Sequence, residues 1–381
     1  MSLNHAQTEA VAHNKGPCMV LAGPGSGKTL TIAKRIEYLI MKHKVRPEEI
    51  LVITFTKYAA WEMKNRTRSI CGPSSYAVTF GTFHGIYYGI LKWAYRLNQS
   101  NLLSDEEKYR ILREILPGID WDQEPEADEE KDYLQELAIE IGNVKNNCMD
   151  IEEYEPVKYT TEKFRKLYRT YEETKKKYRK IDFEDMLIQC RDLFMKRPDI
   201  LKKWQEKFQY ILVDEFQDVN QAQYDVVRML AAPQDNLFVV GDDDQSVYGF
   251  RGAKPGIMKE FMKDYPKARQ ILLDVNYRSS GYIVKGALRV IGNNKIRFEK
   301  KIEAFRKPDE TVHVQEVKDP VQEAEYVLER IREYREKGVS YTEMAVLYRT
   351  NVDARAMSEL MTEYQIPFVM KEHLNNIYEH F

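Results

Sequence analysis

The chain has 381 residues, 43% hydrophobic and 31% charged, with a formal net charge of −2. That length suits roughly two to three domains, and the near-neutral balance excludes a globally basic nucleic-acid binder, so any polynucleotide contact must come from a local patch. With no run of about 18 apolar residues, no apolar core in MSLNHAQTEA and no CxxC pair among Cys18, Cys71, Cys148 and Cys190, the expectation is a cytoplasmic chain without membrane span, leader, zinc site or disulfides.

Leu3, Asn4 and Gln7 precede the first strand and say nothing by themselves. An apolar run, Cys18 to Ala22, then leads into AGPGSGKT, Ala22 to Thr29, and a helical pattern follows to about Met41. Strand, Gly-rich turn and Gly-Lys-Thr at a helix start is the context of a phosphate loop. Its backbone, Ala22, Gly23, Pro24, Gly25, Ser26 and Gly27, turns N–H groups toward phosphate oxygens, and the helix dipole adds to the same pocket. Lys28 would reach the outer phosphates of a bound nucleotide, and the Thr29 hydroxyl would sit on Mg²⁺.

Ile50 to Thr56 is β-rich and Lys57 to Ile70 helical; Ala77 to Phe80 is a third apolar run, followed by GTFHGIYYGIL, Gly81 to Leu91. Such alternation predicts a parallel α/β sheet with ligands at the strand C-terminal ends. From Lys92 to Arg191 strand signals vanish, which predicts a helical insertion. Trp121 to Asp132 is acidic and reads as a solvated linker or frayed helix start. Glu162 to Lys180 is a cation-rich amphipathic helix, either a solvated surface or a patch tracking a nucleic-acid backbone.

The sheet resumes with Gln209 to Val213, ending in DEFQD, with Leu237 to Val240, ending in GDDDQSVYGFRGA, and with Gln270 to Leu273, followed by DVNYRSS. After Asn294 the predicted order is strand Thr311–Val317, helix Val321–Lys337, strand Met344–Tyr348, helix Ala354–Tyr364 and strand Ile366–Met370. A three-strand open sheet leaves bare edges, so this part reads as the front of something longer.

Beside a phosphate loop, the Asp-Glu pair has a specific use: Asp214 would hold Mg²⁺, and Glu215 would orient and deprotonate the attacking water. Gln245 would touch the γ-phosphate, and Arg278 would stabilise charge spreading over the transferred phosphoryl group. Phe55, Phe83, Tyr248 and Phe250, with His84 and Arg251, adjoin polar turns, the composition of a channel on which single-strand bases stack.

This ordered set resembles the UvrD/PcrA/Rep branch of superfamily 1 DNA helicases over nearly the whole chain. AGPGSGKT, ITFTKYAAWEM, TFHGIYYGIL, IDFEDML, DEFQDVNQAQY, VVGDDDQSVYGFRGA, NYRSS and AVLYRTN are each similar to a family motif. The resemblance implies a RecA-like first lobe (residues 1–91 and 192–280), an inserted helical subdomain (92–191) and a partial second RecA-like lobe (281–381). It implies ATP between the lobes and 3′-to-5′ movement on single-stranded DNA or at junctions, with Gln7 reading adenine and Tyr277 stacking on it. It also makes Phe55, Tyr248, Phe250 and Arg251 strand contacts. Protein partners are unknown.

The chain departs from the family pattern at Leu30, where Arg is usual, at Lys57-Tyr58-Ala59-Ala60, and at Phe250 in place of Trp. The last two family motifs, including a second arginine finger, are read as absent, so weak activity is expected of these residues alone. The alternatives are the helicase arm of a helicase–nuclease and an ATP-gated DNA-binding protein without motor activity.

Overall fold

A computed structural model describes residues 3–119, 130–247, 252–254, 256–295, 297–307, 311–350 and 353–370. They fall into two compact units, Met1–Thr311 and Val312–Phe381.

The first unit opens with α1 (His5–Ala12), whose N-terminus Asn4 and Gln7 close as a capping box. Alternation follows: β1 (Cys18–Ala22), α2 (Lys28–Met41), β2 (Ile50–Thr54), α3 (Lys57–Cys71), β3 (Thr79–Thr82) and α4 (Phe83–Tyr95). A helical stretch comes next, with α5 (Asp105–Ile115), α6 (Glu130–Asn146), α7 (Thr161–Lys177), α8 (Phe183–Lys196) and α9 (Pro198–Lys207). The sheet then resumes through β4 (Tyr210–Val213), α10 (Gln221–Ala231), β5 (Leu237–Gly241), α11 (Ile257–Asp264) and β6 (Arg269–Leu273). Last come β7 (Val275–Ser280), α12 (Gly281–Ile291) and β8 (Glu303–Arg306).

Six strands form one parallel sheet in the order β3-β2-β4-β5-β1-β6. Side chains alternate between faces, so each central strand feeds two cores and reads as an unbroken apolar run. Met19, Leu21, Leu51, Ile53, Ile211, Val213 and Val239 pack under α4, α8, α10 and α11. Cys18, Val20, Ala22, Ile50, Val52, Leu212 and Val240 pack under α1, α2 and α3. Order and direction decide where chemistry collects: β4, β5, β1 and β6 are consecutive, so the turns after the first three and the chain leaving the fourth share one rim.

The helical stretch has its own core, in which Leu112, Leu137, Phe164, Leu167 and Tyr171 meet. A buried ion network ties α6 and α7 to the start of α8. Lys175 Nζ lies 2.7 Å from Asp182 and 2.5 Å from Asp185, and Lys145 Nζ lies 2.8 and 2.7 Å from the same pair. The Tyr171 hydroxyl donates to Asp182. Burial works against the Asp182 charge, but Lys145, Lys175 and Lys108 outweigh it and hold its carboxyl well below the usual range. This network and its neighbours bear on the cation-rich helix. Lys175 is buried, Arg165 and Arg169 pair with Glu152, and Lys180 pairs with Glu107. Those four cations hold the protein together, which favours the structural reading of that helix over a phosphate-tracking patch. Of the acidic stretch Trp121 to Asp132, residues 121–129 lie outside the described residues, and Glu130 to Asp132 begin α6.

The second unit carries α13 (Pro320–Glu336) and α14 (Ala354–Glu363), both close to expectation. The three strands expected here do not form: among the described residues Thr311–Val317, Met344–Tyr348 and Ile366–Met370 are in no sheet. Alternation marks an apolar face but supplies no partner for it. Val314, Leu347 and Val369 are more than nine-tenths exposed.

Candidate functional site

The loop after β1 is shaped by two residues in the left-handed region, Gly25 (φ 66°) and Gly27 (φ 86°). At Gly25 the reason for glycine is also contact: a Cβ there would meet Asn276 Oδ1 at 2.6 Å and Arg278 Cβ at 2.7 Å. Gln7 braces the loop from behind, its Nε2 donating to Ser26 O at 2.9 Å while its Oε1 accepts from Asn4 N–H at 3.0 Å. Asn4 Nδ2 also donates to the Tyr277 hydroxyl at 2.8 Å. Both ends of the buried Gln7 amide are therefore engaged within the protein.

β4 delivers the acids. Its end lies two strand spacings from β1, about 10 Å, a gap that a lysine and a glutamate side chain span together. Lys28 Nζ donates to Glu215 Oε2 at 2.7 Å. Glu215 is a non-glycine residue in the left-handed region (φ 50°), a conformation that persists where surroundings over-determine it. Its backbone N–H donates to Asp214 Oδ1, and its carboxylate accepts from both Lys28 and Gln217 Nε2. Burial, reinforced by the Glu215 charge and opposed by Lys28, pushes the Asp214 carboxyl up to about 7.

NYRSS is not the loop that follows a strand. It is itself a strand, β7, paired in parallel with β8 in a separate two-stranded sheet. The register shifts between Asn276 and Ser280, where Asn276 Oδ1 accepts the N–H groups of Arg278 and Ser279. Such irregularities re-aim side chains. With Tyr277 N–H donating to Gly25 O at 3.0 Å, this one aims Arg278 at the phosphate loop. Among the described residues no acceptor is bonded to the Arg278 guanidinium, whereas its carbonyl accepts from Arg306. The Tyr277 ring tilts against Phe305, centroids 5.1 Å apart.

These residues meet in a cavity of about 410 Å³ lined by Pro24 to Thr29, Glu62, Arg66, Glu215, Gln245, Tyr277 and Arg278. Both acids of the lining face cations, Glu215 at Lys28 and Glu62 at Arg66 (3.5 Å). Arg278 is left over as net positive charge, an arrangement suited to a polyanion. Gln245 reaches the lining from the turn after β5, its Nε2 donating to Asp242 at 2.6 Å. Gln7, Ala22, Gly23 and Asp214 support the cavity without lining it. The residues fit a hard divalent cation: the Thr29 hydroxyl, and the buried Asp214 carboxylate whose charge costs most without one, are oxygen donors of the kind Mg²⁺ takes.

The nucleic-acid residues separate. Tyr248, Phe250 and Arg251 lie outside the described residues. Phe55 is half-buried at the end of β2. Phe83 is 2% exposed, edge-on to Tyr87 in the core under α4, so it has no face to offer a base, and its place in a strand channel is corrected. His84 packs on the Phe183 ring, centroids 5.1 Å apart, and burial lowers its pKa.

Sequence reasoning missed Glu62, inside a stretch already read as a motif, and Arg66, four residues further along α3. It also missed Gln217 within DEFQD. The segment Arg297–Lys300 was missed too: Lys300 Nζ contacts Asp242, Asp243 and Asp244, and Arg297 holds Asp244 through two bonds. Nothing local in sequence points to those pairings.

A family model described as the UvrD/REP helicase N-terminal domain matches residues 3–266. One described as the UvrD-like helicase C-terminal domain matches residues 271–377, so the reading that the last family motifs are missing is not borne out. A putative ATP-dependent DNA helicase, YjcD, of Bacillus subtilis (strain 168) is 38% identical, covering 99% of this chain and 50% of its own length. The ATP-dependent DNA helicase PcrA of Staphylococcus aureus is 35% identical over 97% of this chain and 50% of its own length. PcrA of Staphylococcus epidermidis stands at 35%, 97% and 51%. The chain spans about half the length of the curated relatives it matches.

Proposed function

This chain belongs to the UvrD/REP helicase family, and on that premise we propose that it hydrolyses ATP to drive movement along single-stranded DNA in the 3′-to-5′ direction. The observation that carries the reading is the meeting of Lys28, Glu215, Gln245 and Arg278 around one polar cavity. Each has a role in phosphoryl transfer, which is catalysed almost wholly by positioning and charge. Lys28 and the loop N–H groups bind the outer phosphates. Glu215 orients and deprotonates the attacking water. Gln245 reports the γ-phosphate, and Arg278 offsets the charge that develops on it. Tyr277 gives the nucleotide a ring to stack on, and Gln7 holds the loop while offering its remaining N–H to the base. Mg²⁺, held by Thr29 and Asp214, would neutralise charge on the phosphates when bound.

The DNA path is proposed over Phe55 and the segment containing Tyr248, Phe250 and Arg251, with His84 beside it, on single strands or at junctions. The proposed organisation is a first RecA-like lobe (1–91 and 192–280), a helical insertion (92–191) and part of a second lobe (281–381), in a cytoplasmic protein. Among the described residues no helix is long and apolar enough to cross a membrane. The test is ATP turnover with and without single-stranded DNA, alongside strand separation, in the wild type and in Glu215→Gln. A motor shows marked stimulation by the strand, and Glu215→Gln abolishes turnover and separation together. Turnover indifferent to DNA would sink the motor reading.

A further inference from the structure

Gln217 does not line that cavity and is 4% exposed, yet it joins the two acidic turns of the site. Its amide orientation is fixed by chemistry. The Asp242 backbone N–H can only donate, so the atom 3.0 Å from it is the acceptor Oε1. Nε2 must then face the Glu215 carboxylate, from which it lies 3.0 Å. The partners stand on neighbouring strands, Glu215 after β4 and Asp242 after β5. Gly241 makes the approach feasible, because a Cβ there would sit 2.8 Å from Gln217 Oε1. Asp242 in turn accepts from Gln245 through Oδ2 and from Lys300 through Oδ1. A bonded path therefore runs from Lys28 through Glu215, Gln217 and Asp242 to Gln245.

We propose that Gln217 is a positioning residue, which fixes the Glu215 carboxylate for attack and links occupancy at Lys28 to the Asp242–Gln245 turn. The inference rests on Glu215 being the base of hydrolysis, as read above. Phosphates drawn to Lys28 compete for its ammonium, and Gln217 then remains the donor that keeps Glu215 Oε2 in place. Glu215 needs such a holder. It occupies a left-handed backbone conformation from which an unrestrained side chain and turn relax.

Two variants of the full chain separate this role from a merely structural one. Gln217→Met keeps side-chain length and removes both bonds. It is expected to speed hydrogen exchange at the Asp242 amide by at least about tenfold. It should lower kcat for ATP by about 10- to 100-fold while KM stays within about threefold. Gln217→Glu keeps the acceptor for Asp242 and sets a second carboxylate against Glu215. The Asp242 amide should stay protected, and the rise of kcat with pH should move up by about one unit. Wild-type kcat and wild-type exchange in Gln217→Met would overturn the proposal, as would a KM that rises in step with the fall in kcat. If the wild type hydrolyses no ATP, the catalytic reading fails, while exchange at Asp242 in Gln217→Met still decides the link.

Discussion

Lys28 Nζ lies 2.7 Å from Glu215 Oε2, joining the phosphate loop directly to the acid after β4. In the proposed reaction a phosphate entering the loop competes with that carboxylate for the same ammonium, so that binding would free the base in one event. The pair is partly exposed, 13% and 35% at the two side chains, and contributes little to folding.

Glu215→Gln removes the competing charge and the base together. ATP binding is expected to tighten by about 3- to 10-fold, while turnover falls by at least about 100-fold. Titration of a fluorescent ATP analogue, run beside steady-state hydrolysis, reads both. Weakened binding in this variant would show that Glu215 helps hold the nucleotide instead of competing with it.

Arg278 makes no side-chain bond among the described residues, although β7 packs hard on Gly25 to present it. Arg278→Ala is therefore expected to leave unfolding stability within about 0.5 kcal/mol of wild type. Hydrolysis should drop by about 10³-fold or more. Urea unfolding and kcat measured on one preparation decide it. A large stability loss with modest kinetic change would mark Arg278 as a structural cation.

The parts that sequence made legible are those whose signals are local. Continuous apolar runs located β1, β2, β4 and β5, because strands buried on both faces need apolar residues at every position, whereas β6, at the sheet edge with Arg269 and Gln270 exposed, showed only through its short apolar end. Gly25, Gly27 and Lys28 announced the loop through their spacing between an apolar run and a helical pattern. What escaped depends on pairing across the chain: Gln217 with Asp242, Lys300 with three aspartates, and β7 with β8. Phe83 misled for the same reason. Its neighbours His84 and Gly85 are those of a polar turn, whereas its surroundings are set by α4 lying on the sheet. In the second unit, alternation suggested strands that have no partner there.

Asp214 gives a pH signature. Its carboxyl is raised from an ordinary 3.8 to about 7, so folding favours the neutral acid. That contribution is full below about 3.8 and is lost as pH rises through about 7. Asp214→Asn cannot ionise and keeps an acceptor for the Glu215 N–H. Measured in EDTA without nucleotide, its stability relative to wild type should climb between pH 4 and 7 and then level off, by up to the order of 3–4 kcal/mol. An unchanging difference between pH 5 and pH 8 in urea unfolding would show that Asp214 is charged at no cost.

The helical insertion carries the last expectation. Lys175 is 1% exposed and bonded to Asp182 and Asp185, so Lys175→Met leaves buried carboxylate charge uncompensated and should cost about 3–5 kcal/mol. Adding Asp185→Asn removes one of the stranded charges while keeping an acceptor for the Asp182 N–H, and should recover a large part of that loss. Asp182 sets the pH window. Its carboxyl is depressed, so the stability it contributes holds above the ordinary carboxylate range and is lost only as pH falls through a value well below 3.8. The gap between wild type and Lys175→Met should accordingly persist in urea unfolding from pH 8 to pH 5 and close only in stronger acid. Closure already at pH 6 would mean that the Asp182 carboxyl is not held down by its lysines.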